Sequence, residues 1–190
     1  MNNGYFIQLI LFMWIAFWIY WLIAARHSKK TAYRQYSWFK PILLVSIVII
    51  FINVYFRKHS VYLMANVFRS NIYTSIFGSM MCAAGFWIAI SARRILGQNW
   101  SGLVALKEGH ELIQRGPYSI VRHPIYSGVL LALLGTAIVI DRLIVIIILP
   151  ILLIGFWFKL RAEEELLRQQ FPEEYPEYEK KVKRLIPFIF

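Results

Sequence analysis

The sequence predicts an all-α integral membrane protein of about five transmembrane helices, the last two a helical hairpin, with a cytosolic C-terminal helical segment. Three observations carry this reading. Hydrophobic residues make up 59% of the 190-residue chain, above the roughly 45–50% apolar content of a soluble domain, and the mean hydropathy is +0.55. The apolar residues fall in runs long enough to cross a bilayer. Lys and Arg gather in alternate connections between those runs.

Residues 5–25 form an almost unbroken apolar run, which at about 1.5 Å per residue matches a hydrocarbon core of roughly 30 Å. It is a first transmembrane helix and not a signal peptide, because no basic segment precedes Tyr5 and Arg26 follows the run. A basic loop extends from Arg26 to Lys40. Pro41 then opens a second helix over 41–56, at a position where a missing backbone N–H is tolerated. A third apolar run covers about 72–92 and ends at Arg93-Arg94; Gly78, Ser79, Ala83, Ala84 and Gly85 supply small side chains that let membrane helices approach closely.

From Ile125 to Phe158 only Asp141-Arg142 interrupts the apolar residues. A single helix over that stretch would overrun the bilayer, so it reads as a tight hairpin with the charged pair at its turn. Residues 26–40, 93–124 and the tail from Lys159 together hold 17 of the 21 Lys and Arg, leaving Arg57, Lys58, Arg69 and Arg142 for the other face. The positive-inside rule then places the N-terminus outside, and the Arg122 loop and the C-terminal tail in the cytosol. In a prokaryote the membrane is the cell membrane.

The formal net charge of +11 flanks apolar runs and forms no nucleic-acid-binding stripe, so it reports topology. Cys82 is the only cysteine, which excludes an intramolecular disulfide and a cysteine-cluster metal site. His27, His59, His110 and His123 are too scattered to propose a metal centre. No Gly-x-Ser-x-Gly elbow, His-Glu-x-x-His, Walker loop or Rossmann glycine fingerprint occurs. All ten acidic residues follow Lys107, so carboxylate chemistry belongs to the second half.

Three polar segments there can carry chemistry. In the first, Gly109, Gly116, Pro117 and Pro124 break regular structure while His110, Tyr118, Arg122, His123 and Tyr126 supply donors and rings; an ordinary interfacial loop has the same composition. The second is Arg161-Ala162-Glu163-Glu164-Glu165, on the cytosolic extension of the fifth helix, since no breaker follows Lys159 until Pro172. Consecutive carboxylates there project about 100° apart. Glu164 with Arg168 and Arg161 with Glu165 are also spaced for salt bridges on a solvated helix end, and position alone does not choose between the two uses. The third, Phe171 to Pro187, places acids before bases along a short helix, as its dipole favours, and reads as packing or lipid contact.

Gly116-Pro117-Tyr118, then Arg122-His123-Pro124 with Tyr126 and Gly128, Glu163-Glu164 with Leu166-Leu167, and Phe171 through Pro187 fall in the order and spacing of one family. Over about residues 93–190 the chain resembles the isoprenylcysteine carboxyl methyltransferases, most of all their small archaeal and bacterial members. The first 90 residues resemble them only in being membrane helices. The resemblance implies one membrane domain, with three helices in 1–92 and, in 93–190, a catalytic core of cofactor loop, helical hairpin and C-terminal segment. It implies S-adenosylmethionine as methyl donor, released as S-adenosylhomocysteine, in a cytosolic pocket unlike that of the soluble Rossmann-type methyltransferases.

Carried over residue by residue, the resemblance makes Tyr118, His123 and Tyr126 donor contacts. Pro124 stands beside them at the entry into the fourth helix, and backbone from His110 to Leu112 and at Gly116 completes the pocket. Glu163 or Glu164 holds the donor's ammonium or ribose hydroxyls. Arg122 holds the substrate carboxylate, and Arg122 with Glu164 forms the catalytic pair. Pro172 departs from the family, which often has Gly after this Phe. The substrate is then a prenylcysteine-like or other lipophilic carboxylate entering from the bilayer, with neither metal nor nucleic acid involved. Ser127, Gly128 and Gly135 suit either a lateral gap for the prenyl chain or close helix packing. A phospholipid or small-amine N-methyltransferase and a non-catalytic membrane ligand-binding protein are the competing readings.

Overall fold

The computed structural model describes residues 4–26, 31–36, 67, 71–100, 104–107, 109 and 111–187. The first apolar run forms α1 (Gly4–Ala25). It has no polar face: Ile10 and Phe17 are buried while Leu11, Phe12, Ile15, Trp18, Ile19 and Leu22 point outward, the pattern of a helix surrounded by hydrocarbon. The expected second helix lies outside the described residues, so the third apolar run is α2 (Ile72–Leu96). Asn71 caps it: its Oδ1 accepts from the Thr74 backbone N–H at 3.0 Å, and its own N–H donates to Thr74 Oγ1 at 2.9 Å. The helix continues past Arg93-Arg94 and ends at Gly97, where φ is 54°. Arg93 is buried and donates to the carbonyls of Ala24 at 2.7 Å and Gly97 at 2.6 Å. It thereby ties together the C-terminal ends of α1 and α2, whose last carbonyls lack helical partners.

α3 (Pro124–Ile140) runs antiparallel to α2 along a seam of glycines. Gly85 faces Gly128 and Gly78 faces Gly135, and a Cβ at any of the four would collide with the facing backbone. Of the two uses open to Gly128 and Gly135, the fold takes close packing. Cys82, Ala89 and Ala132 fill the seam. α1 closes over it through Trp14, which meets Phe86 edge-on at 4.8 Å and donates from Nε1 to Thr136 Oγ1 at 3.0 Å. α1 and α2 each have the length and hydropathy to cross a bilayer, and α3 is a shorter apolar helix.

The hairpin turn falls at Asp141-Arg142. Asp141 adopts φ 50° at the end of α3, and its Oδ1 accepts from the Val67 N–H at 3.2 Å. The chain then enters α4 (Leu143–Gln170), whose 28 residues would extend about 42 Å, beyond the roughly 30 Å of hydrocarbon. The polar stretch from Lys159 occupies its C-terminal turns. Phe171-Pro172 ends it, and α5 (Glu174–Lys181) follows.

An antiparallel ribbon qualifies the all-α expectation. β1 (Thr31–Tyr36) pairs with β2 (Val104–Lys107) from Thr31 opposite Lys107 to Tyr36 opposite Val104, with register shifts between Thr31 and Tyr33 and between Arg34 and Tyr36. Thr and Tyr in this segment favour a strand, but its partner lies far along the chain, where local periodicity gives no sign of it.

Candidate active site

The site is built where three chain segments cross at one end of α3. The first is the turn at Gly116-Pro117-Tyr118-Ser119. Gly116 has φ 62° and its missing Cβ leaves room for Ile95, so this position requires glycine. Tyr118 is buried, and its carbonyl accepts from Tyr178 Oη at 2.5 Å. Val121, Arg122 and His123 then lead to Pro124, which is fully buried at the first position of α3 and lacks an N–H that the helix would leave unpaired.

The second segment is the polar end of α4, where helical geometry separates two adjacent carboxylates. Glu163 turns toward α3: it accepts from Tyr126 Oη at 2.8 Å, and Lys159 Nζ lies 3.6 Å away. Glu164 turns toward Arg122 and has no solvent exposure. His123 stands between them, its Nε2 3.1 Å from Glu164 and its Nδ1 3.9 Å from Glu163. A carboxylate only accepts, so Nε2 carries the proton.

The third segment is the C-terminal strap after α5, for which the residues alone suggested packing or lipid contact and which the family resemblance included in the catalytic core. Val121 and Lys183 form a parallel bridge, Arg122 N–H donates to the Lys183 carbonyl at 2.8 Å, and His123 N–H to the Arg184 carbonyl at 3.0 Å. Ser127 Oγ donates to the Leu185 carbonyl at 2.6 Å, a packing role rather than a lining for a gap. The strap brings Arg184 onto Glu164, donating from Nε to Oε1 at 3.0 Å and from Nη2 to Oε2. Arg184 followed a run of lysines, and only its flanking Val182, Leu185 and Ile186 set it apart from a solvated cation.

Arg122, expected to hold a substrate carboxylate, is engaged within the protein. Its Nε and Nη2 donate to Glu164 at 3.1 and 2.8 Å, Nη2 also to Glu179 Oε1 at 3.1 Å, and Nη1 to the carbonyls of Val182 and Glu179 at 2.7 and 3.2 Å. A guanidinium has five N–H groups, and all are taken up within the protein. Here Arg122 clasps α4, α5 and the strap, and a substrate carboxylate would have to displace one of these partners.

The electrostatics follow from this packing. Burial by itself would raise the Glu164 pKa, but hydrogen bonds from His123 and Arg184, the charge on His123 and the bond from Arg122 hold its carboxyl well below the usual range. Burial pushes the Tyr118 and Tyr178 phenols well up, so both stay protonated. Of the two salt bridges expected along α4, Glu164 to Arg168 is loose at 3.7 Å because Arg168 grips Glu179 at 2.8 Å. Arg161 to Glu165 does not form; Glu165 accepts from Arg168 at 3.5 Å and Gln169 at 3.2 Å. The structure thus gathers Arg122, His123, Tyr126, Glu163 and Glu164, with Tyr118 and Gly116 just behind them. Leu112 is half-buried in the irregular approach to the turn, and His110 lies outside the described residues.

The similarity to known proteins covers the turn, the start of α3 and the polar end of α4, while the family match stops short of the strap. The family model described as "Phospholipid methyltransferase" matches residues 73–174, from α2 to the start of α5. Protein-S-isoprenylcysteine O-methyltransferase B of Arabidopsis thaliana is 31% identical over 124 residues, 64% of this chain and 63% of the relative. Protein-S-isoprenylcysteine O-methyltransferase of Saccharomyces cerevisiae is 32% identical over 118 residues, 60% of this chain and 49% of the relative. The chain thus spans less than two thirds of the length of these curated relatives. Among solved structures, a eukaryotic intramembrane Ras methyltransferase, isoprenylcysteine carboxyl methyltransferase, superposes with a TM-score of 0.58 at 24% identity, covering 81% of this chain and 55% of that one. The helical membrane fold is shared at that distance.

Proposed function

Because the chain belongs to the phospholipid methyltransferase family, we propose that it is an S-adenosylmethionine-dependent methyltransferase whose acceptor is the carboxylate of a prenylcysteine-like lipophile. The whole chain acts as one membrane domain. About five spans place the N-terminus outside, and the site and C-terminus in the cytosol. The observation that carries the reading is the division of labour between adjacent carboxylates: Glu164 is consumed by the clasp, while Glu163 retains 21% of its side-chain exposure beside Tyr126 and His123.

The residues present fit the donor. Lys159 already places an ammonium 5.3 Å from the centre of the Tyr126 ring and 3.6 Å from Glu163, so this niche holds a cation. S-adenosylmethionine, when bound, supplies a methyl group on a sulfonium and carries an ammonium as well. Glu163, Tyr126 and His123 would hold these groups, with Tyr118 and Gly116 backing the pocket. Arg122, Glu164 and Arg184 are positioning residues that fix His123 and the α4 face against α3.

The same groups favour an ionised acceptor. Glu164 is too weak a base to take a proton near neutrality, and the phenols of Tyr118 and Tyr178 keep theirs. A substrate α-carboxylate with a pKa near 3.5 needs no base. An ammonium would have to lose a proton first. Alignment and exclusion of water then supply the rate, where effective molarity contributes roughly 7–11 kcal/mol. Among the described residues α3 packs closely along α2 and much less along α4, and Tyr126 meets Phe156 at the α3–α4 boundary. That boundary is where a prenyl chain would lie, its carboxylate at headgroup level.

Donor binding tests the reading at its base. S-Adenosylhomocysteine should raise the melting temperature of the purified protein, and Tyr126→Phe with Glu163→Gln should reduce the affinity at least tenfold. Absence of any stabilisation would remove the methyltransferase assignment. Formation of an N-methylated ethanolamine lipid would favour the second reading, which the family's description supports.

A further inference from the structure

The strap that closes the site is basic on its outer side and carries no acid of its own. Its backbone is extended at Val182, with φ −117° and ψ 131°, so successive side chains face opposite ways. Lys181 and Lys183 are exposed, while Val182 and Arg184 are half-buried against the protein. The last carboxylate before the strap is Glu179, which is held by Arg122 and Arg168; Glu177 holds Lys180 at 2.6 Å. Neither Lys181 nor Lys183 makes an ion pair among the described residues.

The course of the strap sets where these two charges stand. Lys183 lies beside Val121 and Arg122, Arg184 beside His123, and Leu185 beside Ser127. The strap therefore runs parallel to the chain that enters α3 and reaches the first turn of that apolar helix. Ile186 follows and is 51% exposed; Ile120, next to the residue that bridges Lys183, is 56% exposed. Cations on the approach and bare aliphatic side chains at the start of an apolar helix form the pattern of a segment lying at headgroup level. A zwitterionic surface brings the lysines no net counter-charge, whereas an anionic one attracts each basic residue by about fivefold in affinity.

We propose that anionic phospholipid headgroups dock on Lys181 and Lys183 and hold the strap in place over the site. The inner side of the same segment supplies the Lys183 and Arg184 carbonyls to the backbone of Arg122 and His123, and the Arg184 guanidinium to Glu164. The lipid is thus a structural partner of the site and not its methyl acceptor, and its removal loosens the segment that fixes His123. This rests on the membrane placement in the proposed function and is independent of the acceptor's chemistry.

Lipid titration separates this docking from the reaction itself. Purified protein in dodecyl maltoside micelles is titrated with phosphatidylglycerol, phosphatidylcholine or soluble glycerol phosphate, and melting temperature and S-adenosylhomocysteine affinity are read at each step. Phosphatidylglycerol alone should raise both in wild type, and added salt should reduce the gain. Lys181→Gln with Lys183→Gln should need about tenfold more phosphatidylglycerol for the same rise, while Arg26→Gln, at an exposed cation beyond α1, should respond as wild type does. An equal response to phosphatidylcholine or glycerol phosphate overturns the docking, as does a full response in the double variant. An equal loss in Arg26→Gln would mean general attraction to a basic face and also overturn it. A rise in melting temperature at constant S-adenosylhomocysteine affinity would overturn the hold on the site. Absence of S-adenosylhomocysteine binding in every condition would withdraw the donor site, while the docking would still stand or fall on the melting temperatures.

Discussion

At the residue scale, Glu164 and the cations around it behave as one unit. The carboxylate has no exposure and receives donors from Arg122, His123 and Arg184. Removing one partner of such a buried network leaves uncompensated charge, which typically costs about 3–5 kcal/mol. Glu164→Gln should therefore lower the unfolding free energy by that order at neutral pH. The pH dependence has a definite sign. Because the folded carboxyl is held below its ordinary 4.5, its stabilisation is complete above that value and is lost as pH falls toward the folded one. The wild-type melting temperature should thus decline more steeply below pH 4.5 than that of Glu164→Gln. Parallel profiles would mean that the clasp does not hold this carboxylate ionised.

Two elements, α2 and α3, form the rigid floor on which the site is mounted, and their contact depends on missing side chains. A Cβ at Gly128 would lie 2.5 Å from the Gly85 carbonyl oxygen and 2.7 Å from the Ala89 nitrogen, backbone atoms that cannot step aside. Gly128→Ala should cost about 1–3 kcal/mol. Gly155→Ala, where nothing lies within 4 Å, should cost nothing. Equal thermal stability of the two variants would show that the seam is looser than described.

The elements also show what the sequence makes legible. Hydropathy alone located α1, α2 and the hairpin with its turn at Asp141-Arg142, because each is a long signal with a charged boundary. It missed the ribbon, whose strands are paired across more than 60 residues of chain, and it overlooked the strap, which has no period of its own. At the site, motif spacing selected Arg122, His123, Tyr126 and the Glu163-Glu164 pair. It could not assign their partners: Arg184 and Glu179 reach the clasp only through the return of the chain after α5. Arg122 shows the limit most clearly: its motif marks it as a site residue, and its five donors find their acceptors only in the folded chain.

For the whole molecule, the long α4 joins the apolar layer to the polar site. Its first half continues the hydrophobic hairpin, and its last turns present Lys159, Glu163 and Glu164 to the loop, α3 and the strap. Under the proposed function, a lipophile held between helices and a water-soluble donor would meet at one interface, each approaching from its own phase. The acceptor atom is the central claim, and one assay reaches it directly. Purified protein in nanodiscs is given S-adenosylmethionine labelled in the methyl group, with an N-acylated farnesylcysteine and phosphatidylethanolamine offered together. The expected product is a base-labile methyl ester on the farnesylcysteine; an alkali-stable N-methyl product on the lipid, or no transfer to either acceptor, would contradict it.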